Sequence, residues 1–347
     1  MNLQEAPARP AYGPRAAQGC GMTSSTQSPV LTIAVPTFNR AASLGSLVQS
    51  LRAACEQGLI ELLVVNDGST HETAEAVGGL AFPGFRFETN PRNLGYGLNF
   101  CRLFAECRTP YMLVTADDDD IDAAALPLLI DWLERRRPAF ASTQWLTAEG
   151  ALYRGQRAER PIAPRDFRAA SGHAPGLVYD VAASRAEITS VEALVRAQDP
   201  MAGFYPQVVL LARLMLAGDC RWYPACVVRE GGGLPSQLLD SSGRNYANPL
   251  ARIEQLIAME RILMALASER FSGDRRIRQM IRQNARSFYW SARESFRARG
   301  APGCERRFDR SAFWYLLRHL PPFRALTGRT DGARALSAQR RLQHWDR

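Results

Sequence analysis

At 347 residues with 46 % hydrophobic side chains, the chain is long enough for one large domain or two small ones around a sizeable core. Its formal net charge is +9, and since no lysine occurs all 43 basic residues are arginine, the side chain suited to bidentate phosphate contact and to stacking. The seven cysteines (Cys20, Cys55, Cys101, Cys107, Cys220, Cys226 and Cys304) form no C-x-x-C pair, and no apolar run reaches membrane-spanning length; zinc-site spacing and transmembrane segments are excluded, and a reducing cytoplasm is the expected setting.

Residues 1–28 are rich in Pro, Ala, Gly, Ser and Gln, with no period and no apolar centre of a secretion signal. They are expected to be a disordered leader. The ordered chain is predicted to start with a β-rich run, Val30 to Val35, ended by Pro36. Leu44, Leu47, Val48, Leu51, Ala54 and Cys55 then fall at helical spacing, and Gly58 ends that helix. Ile60 to Val65 is a second strand, running into the turn Asn66-Asp67-Gly68-Ser69-Thr70; a short helix and an alternating strand, Phe85 to Glu88, follow. A loop with two glycines, Asn90 to Gly97, leads into a helix over 98–106 and the apolar strand Tyr111-Met112-Leu113-Val114. Strand and helix alternate with short connections, which predicts right-handed crossovers and a parallel sheet.

That last strand delivers four adjacent carboxylates, Asp117 to Asp120. Like charges so close repel, and a divalent cation with hard oxygen ligands, Mg²⁺ or Mn²⁺, relieves them. The competing reading is a solvated acidic turn that caps the next helix through Asp122. Three strand ends face one rim: Pro36, Thr37 and Asn39; Asp67; and the aspartate cluster. Open sheets bind ligands at such an edge. Asp67 suits a base N–H or a ribose hydroxyl, or else serves as a turn residue. Arg92 and the backbone N–H groups of 93–97 suit phosphate oxygens, or form a plain turn. No G-x-G-x-x-G follows the first strand and no P-loop is present, which disfavours a dinucleotide oxidoreductase and a P-loop NTPase.

The ordered series V-P-T-F-N-R at 35–40, V-V-N-D-G-S-T at 64–70, N-x-G-x-G-x-N at 93–99 and T-A-D-D-D-D-I at 115–121 resembles a family 2 glycosyltransferase of the GT-A fold over about residues 30–135. The resemblance implies an α/β, Rossmann-like and mainly parallel sheet flanked by helices. It also implies inverting transfer from a nucleotide sugar to an acceptor hydroxyl. On that basis Pro36, Thr37, Asn39 and Asp67 line the nucleotide pocket, joined by Arg92, Asn93, Gly95, Asp117 and Asp118. The family's D-x-D falls on Asp117 to Asp119, with Asp119, and Asp117 beside it, on the metal; Asp118 and Asp120 also satisfy that spacing.

Beyond Asp122 a helix is expected through Leu133 to Arg137, strands over 140–146 and 176–179, and an arginine-rich insert, 151–170, as a mobile loop over the donor site. Helices over 191–197 and 205–217 and a strand over 220–228 follow. Many family members carry an acidic pair at the start of the helix after the acceptor loop. Here that place reads Gly203-Phe204-Tyr205-Pro206-Gln207. Asp199 is then the nearest candidate base and Glu187 the second, while Asp199 also fits a turn before Pro200. His173 is a further candidate metal ligand, against an ordinary hydrogen-bonded role. After Gly231-Gly232-Gly233, helical patterns place Ile277, Met280, Ile281, Phe288 and Trp290 beside Arg275, Arg276, Arg278 and Arg282, and an aromatic run at 313–315 sits beside Arg318. Such helices suit an anionic membrane surface, or pack on the core as ordinary surface helices. No motif supports nucleic-acid binding.

The expected organisation is thus a leader (1–28), a nucleotide-sugar half (29–140), an acceptor half (141–235) and a basic helical C-terminal region (236–347). The expected activity is metal-dependent transfer to a saccharide or lipid-linked saccharide in cell-surface polysaccharide synthesis, with the protein cytoplasmic and peripheral on the membrane. The alternative is a basic binding module on the same scaffold without catalysis, acting at an anionic membrane or on nucleic acid.

Overall fold

The structure, a computed structural model, describes residues 28–69, 71–152, 154, 158–231, 249–269, 274–284 and 287. Residues 1–27 of the expected leader lie outside that set. The chain opens as a βα repeat: β1 (Leu31–Thr37), α1 (Ala41–Glu56), β2 (Glu61–Asn66), α2 (His71–Gly78), β3 (Phe85–Thr89), α3 (Tyr96–Glu106) and β4 (Tyr111–Val114). A two-residue strand, β5 (Asp120–Ile121), precedes α4 (Leu126–Arg136) and β6 (Phe140–Leu146). Then come β7 (Arg160–Pro161), α5 (Phe167–Ser171), β8 (Leu177–Asp180), α6 (Val181–Arg196), α7 (Pro200–Phe204), α8 (Pro206–Ala217), β9 (Cys220–Arg229) and α9 (Pro249–Glu269).

All nine strands form one sheet in the order β3-β2-β1-β4-β8-β6-β9-β5, with β7 on β9. The first four are parallel, as the short βα connections require. β8 runs antiparallel to both β4 and β6, while β9 is parallel to β6. The expected nucleotide and acceptor halves therefore share a continuous hydrogen-bonded sheet.

Side-chain alternation along the strands splits the core into two layers. Leu31, Ile33 and Val35 of β1 face α1 and α4 through Leu44, Leu51 and Leu129. Ala34, with Met112 and Val114 of β4, faces Phe100, Phe104 and the apolar length of α8. Tyr179 sits edge-on to Phe100, Phe104 and Phe140, and this aromatic cluster fills the space under β8.

Strand directions define the functional rim. β1, β2, β3, β4, β6 and β9 all end at one edge, and β8 starts there, because Leu177 pairs with Val114. Leu152 of the insert bridges Leu146 at the rim end of β6, but the insert from Arg160 onward is not over this edge. β7 pairs with Trp222 and Arg221 near the start of β9, at the far end of the sheet, and Phe167 and Ala170 of α5 are buried in the core. Over 160–170 the expected cover is instead a packed segment, since Ile162 and Phe167 gain more by burial than by reaching the rim.

The helical residues 275–284 also differ from expectation. Ile277 and Met280 are buried in the same layer as α8 and α9, with Ile281 packed against it. Arg276 donates to the carbonyls of Met215 and Leu216 at the end of α8, which a helix terminus leaves without intrahelical partners. The apolar face expected to enter a membrane therefore packs on the domain, leaving Arg275, Arg278 and Arg282 exposed. Phe288, Trp290 and the aromatic run at 313–315 lie outside the described residues. No described helix is long and apolar enough to cross a membrane.

Candidate active site

The acidic turn after β4 separates its carboxylates by burial. Asp117 and Asp119 are 7 % and 5 % exposed, Asp118 is half-buried, and Asp120 is exposed within β5. The D-x-D spacing that the structure buries together is therefore 117 and 119. Thr37, at the end of β1, donates to Asp117 Oδ2 at 2.6 Å. Ala116 N–H donates to Asp119 Oδ2 at 3.3 Å, and the Gly231 backbone lies against the same residue. Asp118 turns the other way and meets Arg40 at 3.4 Å. Burial pushes the Asp117 carboxyl up to about 6 and the Asp119 carboxyl up to about 7. Among the described residues, neither forms an ion pair. Two buried carboxylates on one short turn have the donor chemistry for a hard cation.

A second knot holds the neighbouring loop. Asp67, 3 % exposed, accepts from Asn90 Nδ2 at 2.7 Å, Leu94 N at 2.8 Å and Gly95 N at 2.9 Å. Asn90 Nδ2 also reaches Asn99 Oδ1 at 3.0 Å, and Asn99 Nδ2 donates to the carbonyl of Val65. Arg102 donates to Asn90 Oδ1. Gly68 lies directly under this loop: a Cβ there would stand 2.4 Å from the carbonyl carbon of Arg92, and its φ of +65° is left-handed as well. The Asp67 carboxylate is thus directed into the loop. The N–H groups of Leu94 and Gly95, expected to meet phosphate, are taken by Asp67, with Asn93 Oδ1 also accepting from Gly95. Arg92 and Asn93 remain exposed on the outside of that loop. Asn39, at φ +55°, donates through its N–H to Ser69 Oγ and so ties the end of β1 to that of β2; Pro36 is half-buried on β1.

Residues 32–190 match the sequence model of the family described as Glycosyl transferase family 2. The chain carries a family 2 glycosyltransferase domain. Its fold also matches crystal structures of S. aureus TarS 1-349, in complex with UDP-GlcNAc (TM-score 0.62, 14 % identity) and with UDP (TM-score 0.60, 14 % identity). Each match covers 90 % of this chain and 90 % of that one. At this identity the likeness establishes a shared GT-A architecture. No curated protein matches the sequence.

In this glycosyltransferase the two candidate bases sit in different places. Glu187 is in the middle of α6, about two turns below Val195, in a buried ion pair with Arg213 at 2.6 Å. Its carboxylate is held in the core by that guanidinium, about two turns from the rim end of the helix. Asp199 lies at the rim end of α6, where α7 packs beside the start of α3: Gly97 abuts Val195 and Gly203. Its Oδ1 accepts from Met201 N and Ala202 N, both at 2.9 Å, and so caps α7. Tyr205, at the place of the family's acidic pair, carries the Arg168 and Arg252 guanidiniums near its ring. His173 packs on Trp145 with ring centroids 4.3 Å apart, and burial, helped by Arg154, lowers its pKa to about 4. Among the described residues, no group of three or more metal-ligating side chains forms, so His173 does not complete the aspartate site.

Arg40, Asn90, Asn99 and Gly231 escaped the sequence reading as site residues. Arg40 and Asn99 stand inside motifs that were visible. Gly231 stands in a glycine run that reads only as a break.

Proposed function

We propose that the protein moves a sugar from a nucleoside diphosphate sugar to an acceptor hydroxyl, with inversion at the anomeric carbon, using Mg²⁺ or Mn²⁺ at Asp117 and Asp119. The burial of both carboxylates on one turn, with no ion pair among the described residues, carries the proposal. Fewer than three protein ligands is the pattern for a cation that keeps waters and takes its remaining ligands from substrate phosphates. When bound, the cation offsets the charge that collects on the departing diphosphate. Thr37 keeps Asp117 aimed at the rim, and Arg40, beside Asp118, lies where a phosphate would compete for it. Asp67 acts on the donor by fixing the loop that bears Arg92 and Asn93. Asp199 is the candidate base that the topology leaves at the rim.

For the acceptor we propose a saccharide, free or lipid-linked, in surface polysaccharide synthesis. The exposed Arg275, Arg278 and Arg282 would hold the enzyme at an anionic leaflet by charge alone. UDP-GlcNAc is the first donor to try, since the TarS fold binds it. The test is thermal shift and nucleoside diphosphate release with a panel of nucleotide sugars, with and without Mn²⁺. Metal-dependent stabilisation and turnover by one donor are expected; no shift and no release with any donor would end the reading. The absence of a carboxylate at Tyr205 to Gln207 favours one other reading, a binding module without catalysis. Donor binding without any turnover or hydrolysis would select it.

A further inference from the structure

The strand that closes the acidic turn arrives from far down the chain. β5 pairs antiparallel with the end of β9, Asp120 opposite Arg229 and Ile121 opposite Val228. Asp122 N–H donates to the carbonyl of Val227 at 2.9 Å and continues that ladder. Extending the register the other way sets Gly231 opposite Asp118. There the backbones come closer than any side chain permits. A Cβ on Gly231 would stand 1.6 Å from the carbonyl oxygen of Asp118 and 2.8 Å from its carbonyl carbon. Both groups are main chain, so no rotamer change relieves the overlap. The same Cβ would stand 3.5 Å from Asp119 Cα, so the Gly231 backbone lies against that residue as well. The approach is anchored just upstream: Glu230 N–H donates to the carbonyl of Leu146 at 2.7 Å, and Glu230 Oε2 accepts from Ala148 N at 3.0 Å.

We infer that Gly231 is a positioning residue for the aspartate pair, its missing side chain allowing the β9 exit to seat on Asp118 and against Asp119. The inference rests on the reading of Asp117 and Asp119 as the donor and cation site. Asp118 is then held from two sides, its carboxylate by Arg40 and its carbonyl by the Gly231 backbone. With the middle residue fixed, the Cα positions of its two neighbours are fixed as well, and Thr37 and the Ala116 N–H orient their carboxylates. Groups that orient a ligating carboxylate change cation affinity by about 10–100-fold when lost.

The experiment compares the parent with Gly231→Ala in a donor-turnover assay titrated with Mn²⁺. The Mn²⁺ concentration for half-maximal turnover should rise by about 10-fold or more. A merely structural lesion lowers the active fraction and leaves that midpoint unchanged, an outcome that would overturn the inference. Should Gly231→Ala fail to fold, amide hydrogen exchange in the parent decides, because a seated β9 exit that favours cation binding must itself be favoured by the cation. The Asp122 N–H, bonded to Val227 across that ladder, should gain about tenfold protection when Mn²⁺ and UDP or GDP are added; unchanged protection also overturns it. A parent that binds neither UDP nor GDP with Mn²⁺ defeats the donor reading instead.

Discussion

Asp119 carries two separable burdens, since a buried carboxyl raised to about 7 is poorly solvated when ionised and yet is the group that the Ala116 N–H orients. Asp119→Asn should therefore nearly abolish transfer while leaving the melting temperature equal to or above the parent's; transfer at near-parent rate would remove Asp119 from the site. Asp67 behaves in the opposite sense. Its carboxylate satisfies three donors of the 90–95 loop. Asp67→Ala should cost about 1–3 kcal/mol of stability, the scale for stranding buried donors, and weaken donor binding as the loop slackens. Urea unfolding and calorimetric titration check the pair: weakened binding at full stability would mean direct contact with the nucleotide. That Asp67 stands at the rim was legible from its turn and strand end. That its oxygens point to Leu94 and Gly95 was not, because partners more than twenty residues away leave no local pattern.

The elements of the first half were legible because apolar periodicity there is strong and the connections are short. The apolar spacing predicts α6 only from Val191, ten residues after its start. Its first turns, Val181-Ala182-Ala183-Ser184-Arg185, offer little apolar contrast, although Asp180 is a real N-cap, accepting from Ala183 N at 2.8 Å. The antiparallel entry of β8 was missed for a different reason: the run 147–176 returns the chain to the rim before the strand begins, and strand direction is not written in composition. Between α6 and α8 the Glu187–Arg213 pair is 7–8 % exposed on both sides. Glu187→Gln should cost about 3–5 kcal/mol, since it leaves a buried cation uncompensated, with turnover per folded molecule unchanged. Chemical denaturation of that variant, alone and with Arg213→Leu, measures it; a selective loss of turnover would return Glu187 to the chemistry. Asp199 is separable in the same way. Asn caps a helix as well as Asp does, so Asp199→Asn should keep the melting temperature and lower transfer by about 10²-fold or more if Asp199 is the base. Parent-like transfer would confine it to capping α7.

At the scale of the whole molecule, pH and salt are the informative variables. Glu260 in α9 is buried, and burial raises its carboxyl from 4.5 to about 7. A group raised in the folded state contributes stability that is complete below its unfolded value and lost as pH rises through the folded one. Glu260→Gln should thus gain about 1–3 kcal/mol on the parent at pH 8 and little at pH 4; a pH-independent difference would contradict the burial cost. Binding to phosphatidylglycerol vesicles should vanish at high salt, because the apolar side of 275–284 is spent in the core and its described exposed charges are arginines. Persistent binding at high salt would require insertion by another segment. The β5–β9 ladder has a consequence in time as well as in space. Asp120 leaves the ribosome long before Arg229, its pairing partner. At ordinary elongation rates the delay is on the order of 5–20 s. Throughout it the four aspartates lack the strand that closes their turn, so a nascent or truncated chain ending before β9 holds the whole parallel half of the sheet and still has no finished catalytic edge.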